Sequence, residues 1–270
     1  MEYIKFGKYL VNNELESILI LYDYFLLRPI IKPSLLRIPF RIADVFFRRF
    51  LKILFYLKLN IFLPTKNLNE EFIVSMQGNS RYATKILLVK EKNSFKIIKR
   101  YSEKRELTRE LNFIRRYRTK NSVIRQPYFY KLNDFETRMD FIKGRNLRNQ
   151  ILSGAINIEQ LLKLYETLAK ALDTLYHKSK GKHCLIHGDL SLVNVYLFDE
   201  KICLIDFQDS HTYEKDYDKF IFLKRALYCY YGRDRYDIIK QYFATKQIEK
   251  YDQHFVELKT YKHQKIINKK

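Results

Sequence analysis

Residues 187–210 read HGDLSLVNVYLFDEKICLIDFQDS and set Asp189, Asn194, Asp206 and Asp209 among short apolar runs. The apolar segments on either side of Asp199-Glu200-Lys201 predict a hairpin, with strands at 196–198 and 202–205 joined by a polar turn. A hairpin returns to where it began. Asn194 at its entrance and Asp206 at its exit therefore share one side, beside the loop that carries Asp189. Hard divalent cations such as magnesium take oxygen ligands, one or two from carboxylates or amides and the rest from water and phosphate. Asn194 and Asp206 are accordingly the candidate metal ligands.

This acidic cluster stands against the rest of the chain. Lys and Arg number 51 against 30 Asp and Glu, a formal charge of +21, and such a field favours anionic partners: nucleic acid, phosphorylated ligands or an acidic membrane. With 270 residues, 47% of them hydrophobic, the chain is long enough for one or two domains with a proper core. Cys184, Cys203 and Cys229 form no C-x-x-C pair, which argues against a disulfide framework or a zinc site and for a reducing compartment. Glu2, Glu14, Glu16 and Asp23 interrupt the opening, so a secretory leader is not expected. The longest apolar runs fall short of the roughly 20 residues that span a bilayer. A cytoplasmic protein is the expectation.

All five prolines lie in the first half, and three of them break residues 28–40 into an extended connection. Residues 41–60 place Arg41, Asp44, Arg48 and Lys52 at helical spacing, with Ile42, Val45, Phe46, Phe50, Ile53 and Leu57 mostly opposite. This predicts a basic amphipathic helix, either packed on the main domain or lying on a membrane surface, with a boundary near Pro64. From residue 71 the pattern changes to three β-rich runs separated by turn residues, an antiparallel meander. A helix over 103–118 follows, with Leu107, Leu111 and Ile114 on one face and Glu106 and Glu110 one turn apart. Further strands are expected within 122–142. Residues 157–178 form the clearest helix, with Asn157 as N-cap and Gln160 at the capping-box position. Two more helical stretches follow residue 210.

Asp189 suits a task other than metal binding, because phosphoryl transfer needs a group that accepts or orients a hydroxyl proton while donor and acceptor are held in line. At this point the chain resembles the protein-kinase-like superfamily, in particular the aminoglycoside phosphotransferase and choline kinase branch. The catalytic loop of that branch reads H-G-D-x-x-x-x-N, followed by a strand and I-D-F-x-D. His187, Gly188, Asp189, Asn194, Ile205, Asp206, Phe207 and Asp209 occupy the matching positions. Gly188 and Gln208, where protein kinases carry Arg and Gly, favour the small-molecule branch.

The resemblance implies a two-lobed α+β fold, with an antiparallel-sheet lobe over 67–140, a mainly helical lobe over 141–270, and residues 1–66 as a helical extension. It implies ATP and Mg2+ as cofactors, bound between the lobes. Lys99 would be the third-strand lysine that meets the nucleotide phosphates, with Lys96 as its competitor. Glu110 would be its ion-pair partner, with Glu106 as the alternative. The turn at Gly78, Asn79 and Ser80 would cover the phosphates without a full G-x-G-x-x-G, and backbone groups of Asp140 and Ile142 would meet the adenine edge. Asp189 would be the catalytic base, Asp218 a structural acid, and His187 a residue that orients the loop.

The acceptor is argued from charge and size. Residues 81–131 carry 16 Lys and Arg against 4 Asp and Glu, a field that repels cationic aminoglycosides and choline and favours an anionic, hydroxyl-bearing acceptor. Only 64 residues follow Asp206 (270 minus 206), which suggests an open acceptor site. An anionic glycolipid such as lipopolysaccharide core, phosphorylated on a sugar by a kinase lying peripherally on the membrane through residues 41–60, combines these traits. A soluble small molecule or a protein is the alternative acceptor. From other classes, a non-catalytic pseudokinase remains open, as does a nucleic-acid-binding module using the 22 Tyr and 20 Phe as stacking platforms; the acidic cluster argues against the latter.

Overall fold

A computed structural model describes residues 3–6, 9–12, 64–65, 74–77, 83–91, 94–117, 123–142, 144, 146–177, 181–198 and 201–267. The turn at 78–80 and the expected helix at 41–60 lie outside these residues.

The sheet lobe grows from the predicted meander. Strands β4 (Val74–Gln77), β5 (Ala83–Glu91) and β6 (Ser94–Tyr101) pair antiparallel in sequence order. β6 then pairs with β9 (Glu136–Asp140), which pairs with β8 (Phe129–Lys131). On the other edge the sheet continues through β2 (Tyr9–Asn12), β1 (Tyr3–Phe6) and β3 (Pro64–Thr65) to give eight strands in the order β3-β1-β2-β4-β5-β6-β9-β8. These three strands fall within a segment expected to be helical. Their short runs of Tyr, Ile, Phe, Leu and Val suit a pleated surface, and such runs are too short for helical periodicity to be read from them.

Helix α1 (Lys104–Arg116) follows β6. Its Glu106 side chain turns back to accept from the amide of Glu103 (3.2 Å) and the hydroxyl of Ser102 (3.1 Å), within a capping box that closes the helix start. Phe113 and Tyr117 leave the far end of α1 buried in the core of the helical lobe, so one helix anchors both lobes.

After β7 (Ile124–Arg125) and α2 (Leu147–Leu152), α3 (Ile158–Tyr176) forms the spine of the second lobe. Asn157 and Gln160 exchange side-chain and backbone hydrogen bonds of 2.8 and 3.0 Å at its start, as the sequence predicts. Leu161, Tyr165, Leu168, Leu172 and Leu175 recur every three or four residues and are all buried. The hairpin expected in the opening stretch is present as β11 (Val195–Phe198) and β12 (Lys201–Leu204), and β7 adds to it in parallel. A pairing absent from the sequence reading joins β10 (His183–Ile186) to β13 (His211–Glu214). It clamps the two ends of the 187–210 segment together. Helices α4 (Tyr217–Tyr231), α5 (Tyr236–Ile239) and α6 (Thr245–Ile267) complete the lobe.

Candidate active site

The site forms where β6, α1 and the 187–210 segment meet. Lys99 points inward from β6 and is 4% exposed. Its Nζ donates to Glu110 Oε2 on α1 at 2.9 Å and to Asp206 Oδ1 at 2.7 Å. The helical period explains the choice of partner: Glu106 is spent on capping α1, and one turn later Glu110 faces β6. Lys96, on the same strand, pairs instead with Asp140 at 2.5 Å. Burial alone would lower the pKa of Lys99, but the carboxylates of Asp206 and Glu110 outweigh it and hold the pKa above the ordinary lysine value. Burial would likewise raise Asp206, and the Lys99 ammonium reverses this and holds its carboxyl below the usual range.

Glu110 does more than pair with Lys99. Its Oε2 also accepts from the Tyr101 hydroxyl, and its Oε1 accepts from the amide of Phe207 at 3.3 Å. Burial, reinforced by Glu110, pushes the Tyr101 hydroxyl well up, so it stays a donor at neutral pH. The Phe207 ring stacks on Phe113 of α1 with centroids 4.6 Å apart and lies against His187 at 4.9 Å. One carboxylate and one aromatic stack thus fix the helix relative to the segment that carries Asp206.

Asp206 has φ +67°, a left-handed conformation that Asp tolerates better than most residues. It aims the carboxylate at Lys99 while Phe207 turns into the core. Gln208 Nε2 also donates to Asp206 Oδ1, whereas Oδ2 makes no hydrogen bond among the described residues. Asn194 is 5% exposed at the end of a 3-10 turn, Leu192–Asn194. Its Nδ2 donates to the Asp189 carbonyl at 2.9 Å, and the amide oxygen is left without a hydrogen bond among the described residues. Asn194 and Asp206 therefore each retain one hard oxygen donor. No group of three or more His, Cys, Asp or Glu that could hold a metal ion occurs among the described residues.

The loop itself hangs from Asp218, which is fully buried on α4. Asp218 Oδ2 accepts from the His187 amide at 2.7 Å and the Tyr176 hydroxyl at 2.5 Å, and Oδ1 accepts from the Gly188 amide at 3.0 Å. His187 Nε2 donates to the Ile205 carbonyl at 3.0 Å, linking the loop to the residue before Asp206. At the mouth of the site, Asp189 Oδ1 accepts from Arg225 Nη1 at 2.6 Å. Arg225, Tyr101 and Tyr176 were not singled out by sequence reasoning. Their partners lie 9 to 42 positions away, beyond any local pattern. At the end of β9, Asp140 donates its amide to the Tyr128 carbonyl at 3.1 Å, and the Ile142 amide makes no hydrogen bond among the described residues.

Gly188 has φ +80°, and a Cβ there would lie 2.2 Å from the Asp209 carbonyl oxygen and 2.7 Å from His211 Nδ1. The glycine reports loop packing and carries no information about the acceptor, which removes one of the two residues used to choose the small-molecule branch. Gly188→Ala is expected to cost about 2 kcal/mol or more of stability and to displace Asp189. Thermal unfolding beside nucleotide turnover would check this, and an unaltered melting temperature would contradict it.

A family model described as RIO domain matches residues 72–256. The EKC/KEOPS complex subunit BUD32 of Enterocytozoon bieneusi (strain H348) is 29% identical over 116 residues, 41% of this chain and 55% of that protein. The chain thus spans about half the length of this curated relative. Among solved structures, the PknI kinase domain of Mycobacterium tuberculosis is 16% identical, covering 63% of this chain and 79% of that chain with a TM-score of 0.44. The amicoumacin kinase hAmiN with AMP-PNP and Ca2+ is 14% identical, covering 68% and 71% with a TM-score of 0.39. Kinase-like homologues use ATP with Mg2+. The family match supports membership of the protein-kinase-like superfamily and gives no support to the lipopolysaccharide sugar kinase reading. Spanning the sheet lobe from before β4 and the helical lobe into α6, it carries the conclusion that this chain belongs to the RIO domain family of the protein-kinase-like superfamily.

Proposed function

We propose that the protein is a Mg-ATP-dependent phosphotransferase that moves the γ-phosphoryl group to a hydroxyl. The observation that carries this reading is the buried Lys99 bridging Glu110 and Asp206, with Asn194 and Asp189 on the adjoining loop. Lys99 has no structural need for two carboxylates, and a phosphate-binding cation held in place by one of them has a use for both. Lys99 binds the nucleotide phosphates, and Glu110 keeps it oriented. Asn194 and Asp206 would hold Mg2+, which supplies neutralisation of phosphate charge. Asp189 is fixed through Oδ1 by Arg225, leaving Oδ2 to orient the acceptor hydroxyl. The rate advantage then comes from positioning and preorganised charge. Backbone groups of Asp140 and Ile142 meet the adenine.

The acceptor is anionic, in keeping with the net charge of +21. The similarity to a subunit of a protein complex supports a protein-associated acceptor over a glycolipid. The membrane reading rests on residues 41–60, and no helix among the described residues is long and apolar enough to cross a membrane. The test is transfer of label from γ-labelled ATP to fractions of a cell extract by wild type and by Asp189→Asn. Label in protein, present with wild type and lost in the variant, is the expected result. Label in glycolipid would overturn the acceptor assignment, and label unchanged in the variant would overturn the role of Asp189.

A further inference from the structure

On the side of α1 that faces away from Lys99, an open cavity of about 560 Å³ lies against β10 and β13. Arg109, Asn112, Arg115 and Arg116 of α1 line it together with Ser210 and Thr212, and Leu185 is its apolar contribution. Arg109, Asn112 and Arg116 follow the helical period, so one face of α1 presents them together. Among the described residues, no carboxylate lines the cavity. Elsewhere the guanidinium groups find acids: Arg100 pairs with Glu136, Arg105 with Glu103, Arg138 with Glu91, and Arg225 with Asp189. Arg109 and Arg115 make no ion pair among the described residues.

Two exposed guanidiniums without acids in one concavity leave it positively charged and open to an anion. The donor set, forked guanidiniums with an amide and a hydroxyl, matches a phosphate monoester, which guanidinium recognises bidentately. The cavity falls within the range of small-ligand pockets and has room for more than a phosphate ion. Among the described residues no aromatic ring lines it, so base stacking there would fall to the guanidinium planes alone. Among the described residues β13 pairs with β10 alone, leaving an edge along which an extended peptide can run. The geometry points to a second site, separate from the Lys99–Asp206 cleft, that binds a phosphorylated serine or threonine side chain of a peptide. The site spans the helix that holds Glu110 and the segment that follows Asp206, with the Ser210 hydroxyl donating to the Arg109 carbonyl at 3.2 Å across the join.

The test is fluorescence anisotropy of a labelled phosphothreonine peptide and its unphosphorylated twin with the full chain, without nucleotide, so that it stands or falls apart from any phosphotransferase activity. Phosphate-dependent binding is expected, weakened at least about tenfold in Arg109→Gln/Arg115→Gln and also weakened in Asn112→Asp, which places a carboxylate in the cavity. Binding should be unchanged in Arg233→Gln/Lys246→Gln, an equal loss of charge elsewhere on the surface. Equal weakening in both double variants would reduce the effect to the bulk field and overturn the site. Loss of binding in Lys99→Met would locate the phosphate in the cleft and overturn it as well. Tighter binding of a 5′-phosphorylated oligonucleotide through the same arginines would overturn the peptide assignment, and no dependence on phosphate would end the proposal.

Discussion

Asp206→Asn is expected to lower magnesium-dependent turnover by roughly 10²–10³-fold while leaving the fold intact. Asn is the right replacement because the backbone at 206 has φ +67°; Ala there would add a backbone penalty of about 1–2 kcal/mol and confound the result. The carboxylate has two duties that geometry separates. Oδ1 neutralises Lys99 and accepts from Gln208, whereas Oδ2 remains open. Asn keeps a hydrogen-bonding group toward Lys99, and Lys99 keeps Glu110 at 2.9 Å, so the buried ammonium is never without a carboxylate. What disappears is the charged oxygen facing the phosphates. Steady-state kinetics across magnesium concentrations would show the turnover falling and the magnesium requirement weakening. Full turnover with the wild-type magnesium dependence would refute the assignment.

Asp218→Ala is expected to destabilise the protein by roughly 3–5 kcal/mol. Asp218 is fully buried and accepts from the amides of His187 and Gly188 and the hydroxyl of Tyr176. Removing it strands three buried donors, each costing about 1–3 kcal/mol when left unsatisfied. Burial alone already pushes the Tyr176 hydroxyl up, so it stays a donor without an acceptor when Asp218 is removed. Asp218→Asn should fall between the two, because its amide oxygen can serve one side while its NH2 group opposes donors on the other. Chemical denaturation would measure this. A loss below about 1 kcal/mol for Ala would mean that the loop is held by the hairpin and not by α4.

The sequence made legible whatever depends on local pattern. The β11–β12 hairpin, the capping box of α3 and the three-strand meander all follow from alternation, helical period and turn residues within a few positions. The superfamily was readable because His187, Asp189, Asn194 and Asp206 lie within one stretch of 20 residues. What could not be read depends on meetings across the chain. Glu110 stood ahead of Glu106 only by resemblance, and the start of α1, which consumes Glu106, decides between them. The pairing of β10 with β13 joins two four-residue strands too short to announce themselves, and the Arg225–Asp189 contact bridges α4 and the loop. Gly188 is a related case: it serves a close backbone approach, which a sequence motif does not distinguish from a choice of substrate.

The account turns on nucleotide phosphates meeting Lys99, Asn194 and Asp206 with magnesium between them. The most direct measurement is calorimetric titration of the wild-type protein with a non-hydrolysable ATP analogue, with and without Mg2+. Binding at least about tenfold tighter with the metal is the predicted result. Affinity unaffected by magnesium, or no binding in either condition, would contradict it.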